Sequence, residues 1–165
     1  MIPMTEEFGW SRAEFSASRS IGQIVLAMTG FVIGTYIDKY GGKPFVLFGG
    51  LVLSASLYSL GSINTLTQWL LINGLMLTAG AAMIGNLVVN VTLGKWFVEK
   101  RGRSIAVAGM GISLAGILLP PTVTALVDQF GWRAAWEVLA VIAALVTFPA
   151  AFMVTFSYTH LTLPT

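Results

Sequence analysis

Two pairs of polar residues interrupt apolar stretches of the sequence at the spacing of one helical turn. Arg19 and Gln23 are four residues apart, and so are Asn86 and Asn90. Residues at this spacing share one face of an α-helix. A guanidinium beside an amide can bind an anion, but an arginine near a helix end also extends to lipid headgroups. The asparagines fit either a cavity lining or hydrogen bonds between helices.

A third group of interest is the stretch from Gly34 to Lys43, which contains Asp38, Lys39 and Gly41. The aspartate can accept hydrogen bonds at the N-terminus of a neighbouring helix and pair with a cation. The glycine permits a positive φ in a tight turn. The stretch is therefore either a simple charged turn or a conformational latch.

Two consecutive prolines, Pro120 and Pro121, follow a glycine-rich helical stretch. Each proline removes a backbone donor, so the pair predicts a bend in the helix. The glycines alone would indicate close helix packing, whereas a bend would let neighbouring helices move relative to one another.

No residue pattern in the sequence is typical of an enzyme. The chain has no cysteine and a single histidine, and the apolar segments hold no Ser/His/Asp set, no metal-ligand cluster and no phosphate-binding loop. We therefore expect no catalytic residue, no metal and no cofactor. A net charge of +2, without a basic stripe, also argues against a nucleic-acid partner.

The composition indicates a membrane protein. Hydrophobic residues make up 56% of the 165 residues, charged residues 10%, and the mean hydropathy is +0.82. A soluble domain carries about a quarter charged residues. Clusters of charged or polar residues divide the chain into five apolar segments, each near the length of about 20 residues that spans a bilayer. The predicted spans are 18–37, 44–63, 66–94, 104–127 and 134–156.

The distribution of charge predicts the orientation of these spans. Loops 38–43 and 95–103 together carry six basic and two acidic residues, whereas the remaining stretches carry three basic and five acidic residues. Lys and Arg concentrate in cytoplasmic loops. We therefore expect loops 38–43 and 95–103 to be cytoplasmic in a multi-pass protein of the plasma (inner) membrane.

The stretch at Asp38 resembles a known signature. The pattern G-x-x-x-D-[RK]-x-G-x-[RK]-[RK] marks the loop between the second and third helices of the major facilitator superfamily. Gly34, Asp38, Lys39, Gly41 and Lys43 match it, and Pro44 replaces the last basic residue. The resemblance implies an all-α polytopic fold and a latch role for this loop. The five segments would then be helices two to six of a partial N-terminal six-helix bundle, residues 18–156.

Further stretches resemble the oxalate/formate antiporter and monocarboxylate transporter group within that superfamily. Two of them, 7–13 and 130–135, contain a Gly-Trp dipeptide, and 119–121 contains consecutive prolines. The fourth is Lys95-Trp96-Phe97, which is followed by Lys100-Arg101-Gly102 and Ala106. This resemblance implies secondary transport of a small organic anion, such as a mono- or dicarboxylate, with protons as a candidate co-substrate. Arg19, Gln23, Asn86 and Asn90 are the candidate cavity residues. The alternatives are a facilitator of another substrate class, such as a drug/proton antiporter or a sugar or metabolite carrier, and a membrane scaffold without transport activity.

The two ends of the chain lead to two further predictions. Residues 1–17 resemble the external loop that follows the first helix, so we expect that helix and the C-terminal half of the transporter to be missing partners of this fragment. Residues 157–165 resemble the translation of a transposase-based sequencing adapter, so we expect a non-native tail that includes His160.

Overall fold

The computed structural model describes residues 2–96 and 101–160, which are mostly helical and contain no strand. The all-α fold class is confirmed. The predicted loop 95–103 lies in part outside the described residues, and so does the predicted tail 157–165, from residue 161 onward. The helices are α1 (Ile2–Phe8), α2 (Arg12–Tyr40), α3 (Lys43–Leu60), α4 (Leu66–Trp69), α5 (Thr78–Ile84), α6 (Asn86–Trp96) and α7 (Arg101–His160). A π-helix, Leu70–Leu77, joins α4 to α5 and is called the π segment below.

The start of α2 is fixed by a capping box. The Ser11 hydroxyl accepts a hydrogen bond from the Glu14 backbone N–H (3.2 Å), and the Glu14 carboxylate accepts one from the Ser11 backbone N–H (2.8 Å). Two donors that the first turn would leave unpaired are thereby satisfied. The cap sets the helical register of the residues that follow, including Arg19.

The turn between α2 and α3 needs glycine. Gly41 has φ 74° and ψ 177°, and its N–H donates to the Ile37 carbonyl (3.0 Å). A Cβ added at the buried Gly42 would lie 2.5 Å from the Thr92 hydroxyl of α6. The turn therefore packs directly against α6, where Val88 is buried with Ile37.

Helix α7 is divided by a single residue. Gly131, with φ 82° and ψ 164°, has the only non-helical torsions inside it. The residues after Gly131 run back along α3: a Cβ at Gly61 would lie 3.1 Å from the Arg133 carbonyl oxygen, and Thr147 lies against Gly50. This part of α7 is therefore antiparallel to α3.

Large apolar side chains cover the outside of the helices. Phe31 is 80% exposed, and Met110 and Ile117 are each 70% exposed. Such a surface fits lipid. Four helical stretches in the described part of the chain are long and apolar enough to cross a membrane: Arg12–Ile37, Lys43–Leu60, Leu66–Gly94 and Gly102–Phe152.

The last stretch, of 51 residues, contains the fourth predicted span and most of the fifth. It is long enough for two crossings when divided at Gly131, because one crossing needs about 20 residues. The chain is a multi-pass membrane protein.

Candidate functional site

A cavity of about 330 Å³ lies between α2 and the continuous helical stretch formed by α4, the π segment and α5. Its volume is that of a small-molecule site. Arg19 and Gln23 line it from α2. Asn73 lines it from the π segment, and Thr78 from the start of α5. A positively charged side chain thus shares a largely apolar cavity with neutral polar groups, which is an arrangement suited to a small anion that also forms hydrogen bonds.

A chain of hydrogen bonds connects the two walls of the cavity. The Ser18 hydroxyl donates to the Phe15 carbonyl (3.0 Å) and accepts from the Asn73 side-chain Nδ2 (3.3 Å). The Trp69 indole N–H donates to the same Phe15 carbonyl (3.1 Å), and its ring stacks on the Phe15 ring. Since Ser18 and Trp69 are buried, these bonds hold the two walls in a fixed relation.

Two glycines allow the walls to approach closely. A Cβ at Gly74 would lie 3.0 Å from the Ser18 carbonyl oxygen, and a Cβ at Gly22 would lie 2.9 Å from the Thr78 hydroxyl. Gly74 is in the π segment, whose wider turns leave carbonyl groups with displaced partners. Thr78 compensates for this, since its hydroxyl donates to the Asn73 backbone carbonyl (3.1 Å). The π segment thereby sets the position of Asn73.

The predicted cavity residues fall into two groups. Arg19 and Gln23 both line the cavity. Asn86 and Asn90 are exposed residues of α6 and are not part of its lining. Gly85 has extended torsions and separates α6 from α5, so the structure does not bring the two predicted pairs together.

Eight of the ten residues that line the cavity were not predicted from the sequence, among them Ser18, Asn73 and Thr78. Ser18 and Asn73 are 55 positions apart, and nothing local to either residue indicates the other. The signal in the sequence that is consistent with this contact is the pair of glycines, Gly22 and Gly74. Small residues at helix interfaces let the two backbones come close.

The predicted latch residues lie at the end of the bundle away from α1. Lys43 begins α3, and Lys39 places its Nζ 5.4 Å from the centre of the Tyr40 ring. A Cβ added at Gly34 would have no atom of the described residues within 4 Å. The side chain of Asp38 lies outside the described residues.

Pro120 and Pro121 lie within α7, in the part before Gly131, and their torsions are helical. Nearby hydroxyls bond back to the helix: Thr122 donates to the Leu118 carbonyl (2.8 Å) and Thr124 to the Pro120 carbonyl (3.0 Å). Such bonds favour helix bending. The bend at the two prolines remains a prediction.

The α1 end of the bundle is closed by a polar cluster, called the Glu7 clasp below. The Glu7 carboxylate accepts hydrogen bonds from the Trp132 indole N–H (2.6 Å) and from the Arg133 guanidinium (3.1 Å). The same guanidinium donates to the Asn64 side chain (3.4 Å) and lies 4.3 Å from the centre of the Trp132 ring. The clasp thus joins α1, the loop after α3 and the residues after Gly131.

Within the described ranges, no cluster of three or more His, Cys, Asp or Glu side chains could hold a metal ion. The groups that the cavity offers to a ligand are its cationic, amide and hydroxyl groups.

The sequence profile described as "Major Facilitator Superfamily" matches residues 1–163. The chain belongs to the major facilitator superfamily. Members of this family carry small molecules across membranes, some of them with protons, and the family is one of transporters rather than enzymes.

Several curated transporters are similar to this major facilitator superfamily chain. An MFS-type transporter of Bacillus subtilis (strain 168), YcxA, is 25% identical over 90% of the chain and 36% of its own length. Human monocarboxylate transporter 6 is 30% identical over 77% of the chain and 25% of its own length. The oxalate:formate antiporter of Oxalobacter formigenes is 23% identical over 93% of the chain and 36% of its own length. The chain therefore spans between a quarter and about a third of the length of these relatives.

Proposed function

We propose that this chain supplies part of the N-terminal half of a secondary transporter that moves a small organic anion, such as a mono- or dicarboxylate, by alternating access. The observation that supports this most is the cavity in which Arg19 lies beside Gln23. A guanidinium is permanently charged and binds carboxylates through paired N–H donors. Monocarboxylate and oxalate:formate carriers among the relatives favour the same substrate class.

The rest of the transporter is part of the same proposal. Members of this superfamily have two six-helix halves that rock around a site near the middle of the membrane. Here the described helices would be helices two to six, with the first helix and the second half supplying the other walls. Asn86 and Asn90 would then face the cavity in another access state, or bond to a neighbouring helix.

The loop 38–43 would act as the latch at the cytoplasmic side of the inner membrane. Asp38, with Lys39 and Lys43, would stabilise one access state through charge pairs that break in the other. Gly41, whose φ is 74°, keeps the turn short enough for these charges to remain at the helix ends. The bend at Pro120 and Pro121 would let α7 follow the movement.

Uptake into proteoliposomes by the full-length transporter tests the proposal. We expect saturable uptake of small carboxylates, and Arg19→Gln should raise KM by about tenfold or more, since a hydrogen bond to a charged group is worth about 1.5–3 kcal/mol. Arg12→Gln is the matched control, because Arg12 is an exposed residue of the same helix outside the cavity. Flux of lipophilic cations without carboxylate flux, or equal effects of the two variants, would reject the proposal.

A further inference from the structure

The hydrogens around Ser18 determine which group Asn73 offers to the cavity. A serine hydroxyl has one hydrogen and two lone pairs. The Ser18 hydroxyl lies 3.0 Å from the Phe15 carbonyl, which can only accept, so its hydrogen is used there. Ser18 can therefore only accept from the Asn73 amide, at 3.3 Å.

The Asn73 side chain is oriented by this constraint. Its Nδ2 is directed to Ser18 and uses one of its two hydrogens there, so Oδ1 is the acceptor that remains for another partner, beside the second Nδ2 hydrogen. Oδ1 has no hydrogen-bond donor among the described residues. Thr78, on the same wall, is in a similar position, since its hydrogen is used on the Asn73 backbone carbonyl and only its lone pairs remain.

The two walls of the cavity thus differ in hydrogen-bonding character. Arg19 on α2 carries only donors, and Gln23 beside it carries both donors and an acceptor. On the opposite wall, Asn73 keeps the Oδ1 acceptor and the second hydrogen of Nδ2, and Thr78 keeps only the lone pairs of its hydroxyl. A carboxylate alone leaves Oδ1 of Asn73 and the Thr78 hydroxyl oxygen without a donor, whereas an anion that also carries a hydroxyl group can donate its hydrogen to Oδ1.

We propose that Asn73, oriented by Ser18, is the hydrogen-bond acceptor that selects, among small carboxylates, those that carry a hydroxyl group. This inference rests on the proposed function, because it assumes that the cavity binds a carboxylate. Ser18 is a positioning residue: it acts through Asn73 by holding the amide in one orientation. Because Ser18 is buried, at 3% exposed, water does not replace its hydroxyl as the partner of the Asn73 amide.

The test compares two anions that differ by one hydroxyl, glycolate and acetate, as substrates of the full-length transporter in proteoliposomes. The wild type should have a KM for glycolate about fivefold below that for acetate, the ratio expected from one neutral hydrogen bond. Asn73→Ala should bring the ratio close to one by raising the KM for glycolate. Ser18→Ala should also reduce the preference for glycolate over acetate, although Asn73 is intact, because the freed amide can turn and present Nδ2.

Ser20→Ala is the matched control, since Ser20 is exposed on the same helix and lies outside the cavity lining; its ratio should equal that of the wild type. A purely structural role of Asn73 would change both KM values together, and that result would overturn the inference. An unchanged ratio in Asn73→Ala, or a wild type that prefers acetate, would do the same while leaving anion transport intact. Absence of saturable uptake of either anion would instead reject the proposed function, and this inference with it.

Discussion

Gly49 of α3 and Gly80 of α5 face each other so closely that neither position has room for a side chain. A Cβ at Gly80 would lie 2.7 Å from the Leu53 backbone nitrogen and 3.1 Å from the Gly49 carbonyl oxygen, and a Cβ at Gly49 would lie 3.0 Å from the Gly80 carbonyl oxygen. Both residues are buried. Backbone atoms cannot move aside as a flexible side chain can, so this contact fixes the separation of α3 and α5.

Substitution at this contact should therefore separate the helices. We expect Gly80→Ala to lower the free energy of unfolding by about 1–3 kcal/mol, as overpacking does, measured by denaturant unfolding in detergent. Gly30→Ala in α2 is the control: nothing lies within 4 Å of its added Cβ, so reduced backbone entropy should leave stability unchanged or raise it by roughly 0.5–1 kcal/mol. Equal losses in the two variants would contradict the close approach.

The Glu7 clasp should contribute measurably to stability. Glu7→Ala leaves the indole N–H of the largely buried Trp132 without its partner, and an unpaired buried donor costs about 1–3 kcal/mol. The ion pair with Arg133 adds little, because both side chains are partly exposed. The thermal unfolding midpoint measures the effect, with Glu6→Ala as the control, since Glu6 is exposed and has no partner in the described structure. A similar decrease in both variants would argue against the clasp.

Gly131 should not tolerate a side chain. Its torsions, φ 82° and ψ 164°, lie in a region that is essentially restricted to glycine. For other residues this conformation is unfavourable by about 1–3 kcal/mol. Gly131→Ala should reduce stability by that amount in chemical unfolding. Gly109→Ala, in the helical part of α7 before the break and with nothing within 4 Å, should not. If Gly131→Ala is as stable as the wild type, the non-helical torsions of Gly131, and the change of chain direction that they produce, would be contradicted.

The two prolines of α7 allow a test of the predicted bend. Replacing both Pro120 and Pro121 by Ala restores two backbone N–H donors, so amide hydrogen exchange over the neighbouring turns should slow. Pro149→Ala, at the third proline inside α7, should slow exchange only around its own position. Unchanged protection near residues 116–125 in the double variant would show that the prolines do not weaken the helix there.

The presence of long apolar helices and the turn at Gly41 could be predicted because their determinants are local. Apolar length defines a crossing, and a glycine pair beside charged residues predicts a tight turn. Arg19 and Gln23 could be paired because helical spacing alone puts them on one face.

The opposite wall of the cavity could not be predicted in this way. Asn73 reaches the cavity through the π segment, and the stretch Leu70–Leu77 has the same apolar composition as an ordinary span. Its approach to Ser18 depends on tertiary packing at Gly22 and Gly74. Asn86 follows the extended Gly85, which changes its direction relative to Asn73, so spacing along the sequence does not place the two asparagines on one wall.

The Glu7 clasp has a consequence for the order of events during biosynthesis. Its two ends are 125 residues apart, and at about 5–20 residues per second a ribosome needs roughly 6–25 s to travel that distance. Until Trp132 emerges, Glu7 and the Phe8 ring that later packs edge-on against Trp132 have no partner there. Formation of the clasp is therefore a late event of membrane insertion, and a ribosome stalled before residue 132 would hold a nascent chain in which α1 lacks this contact.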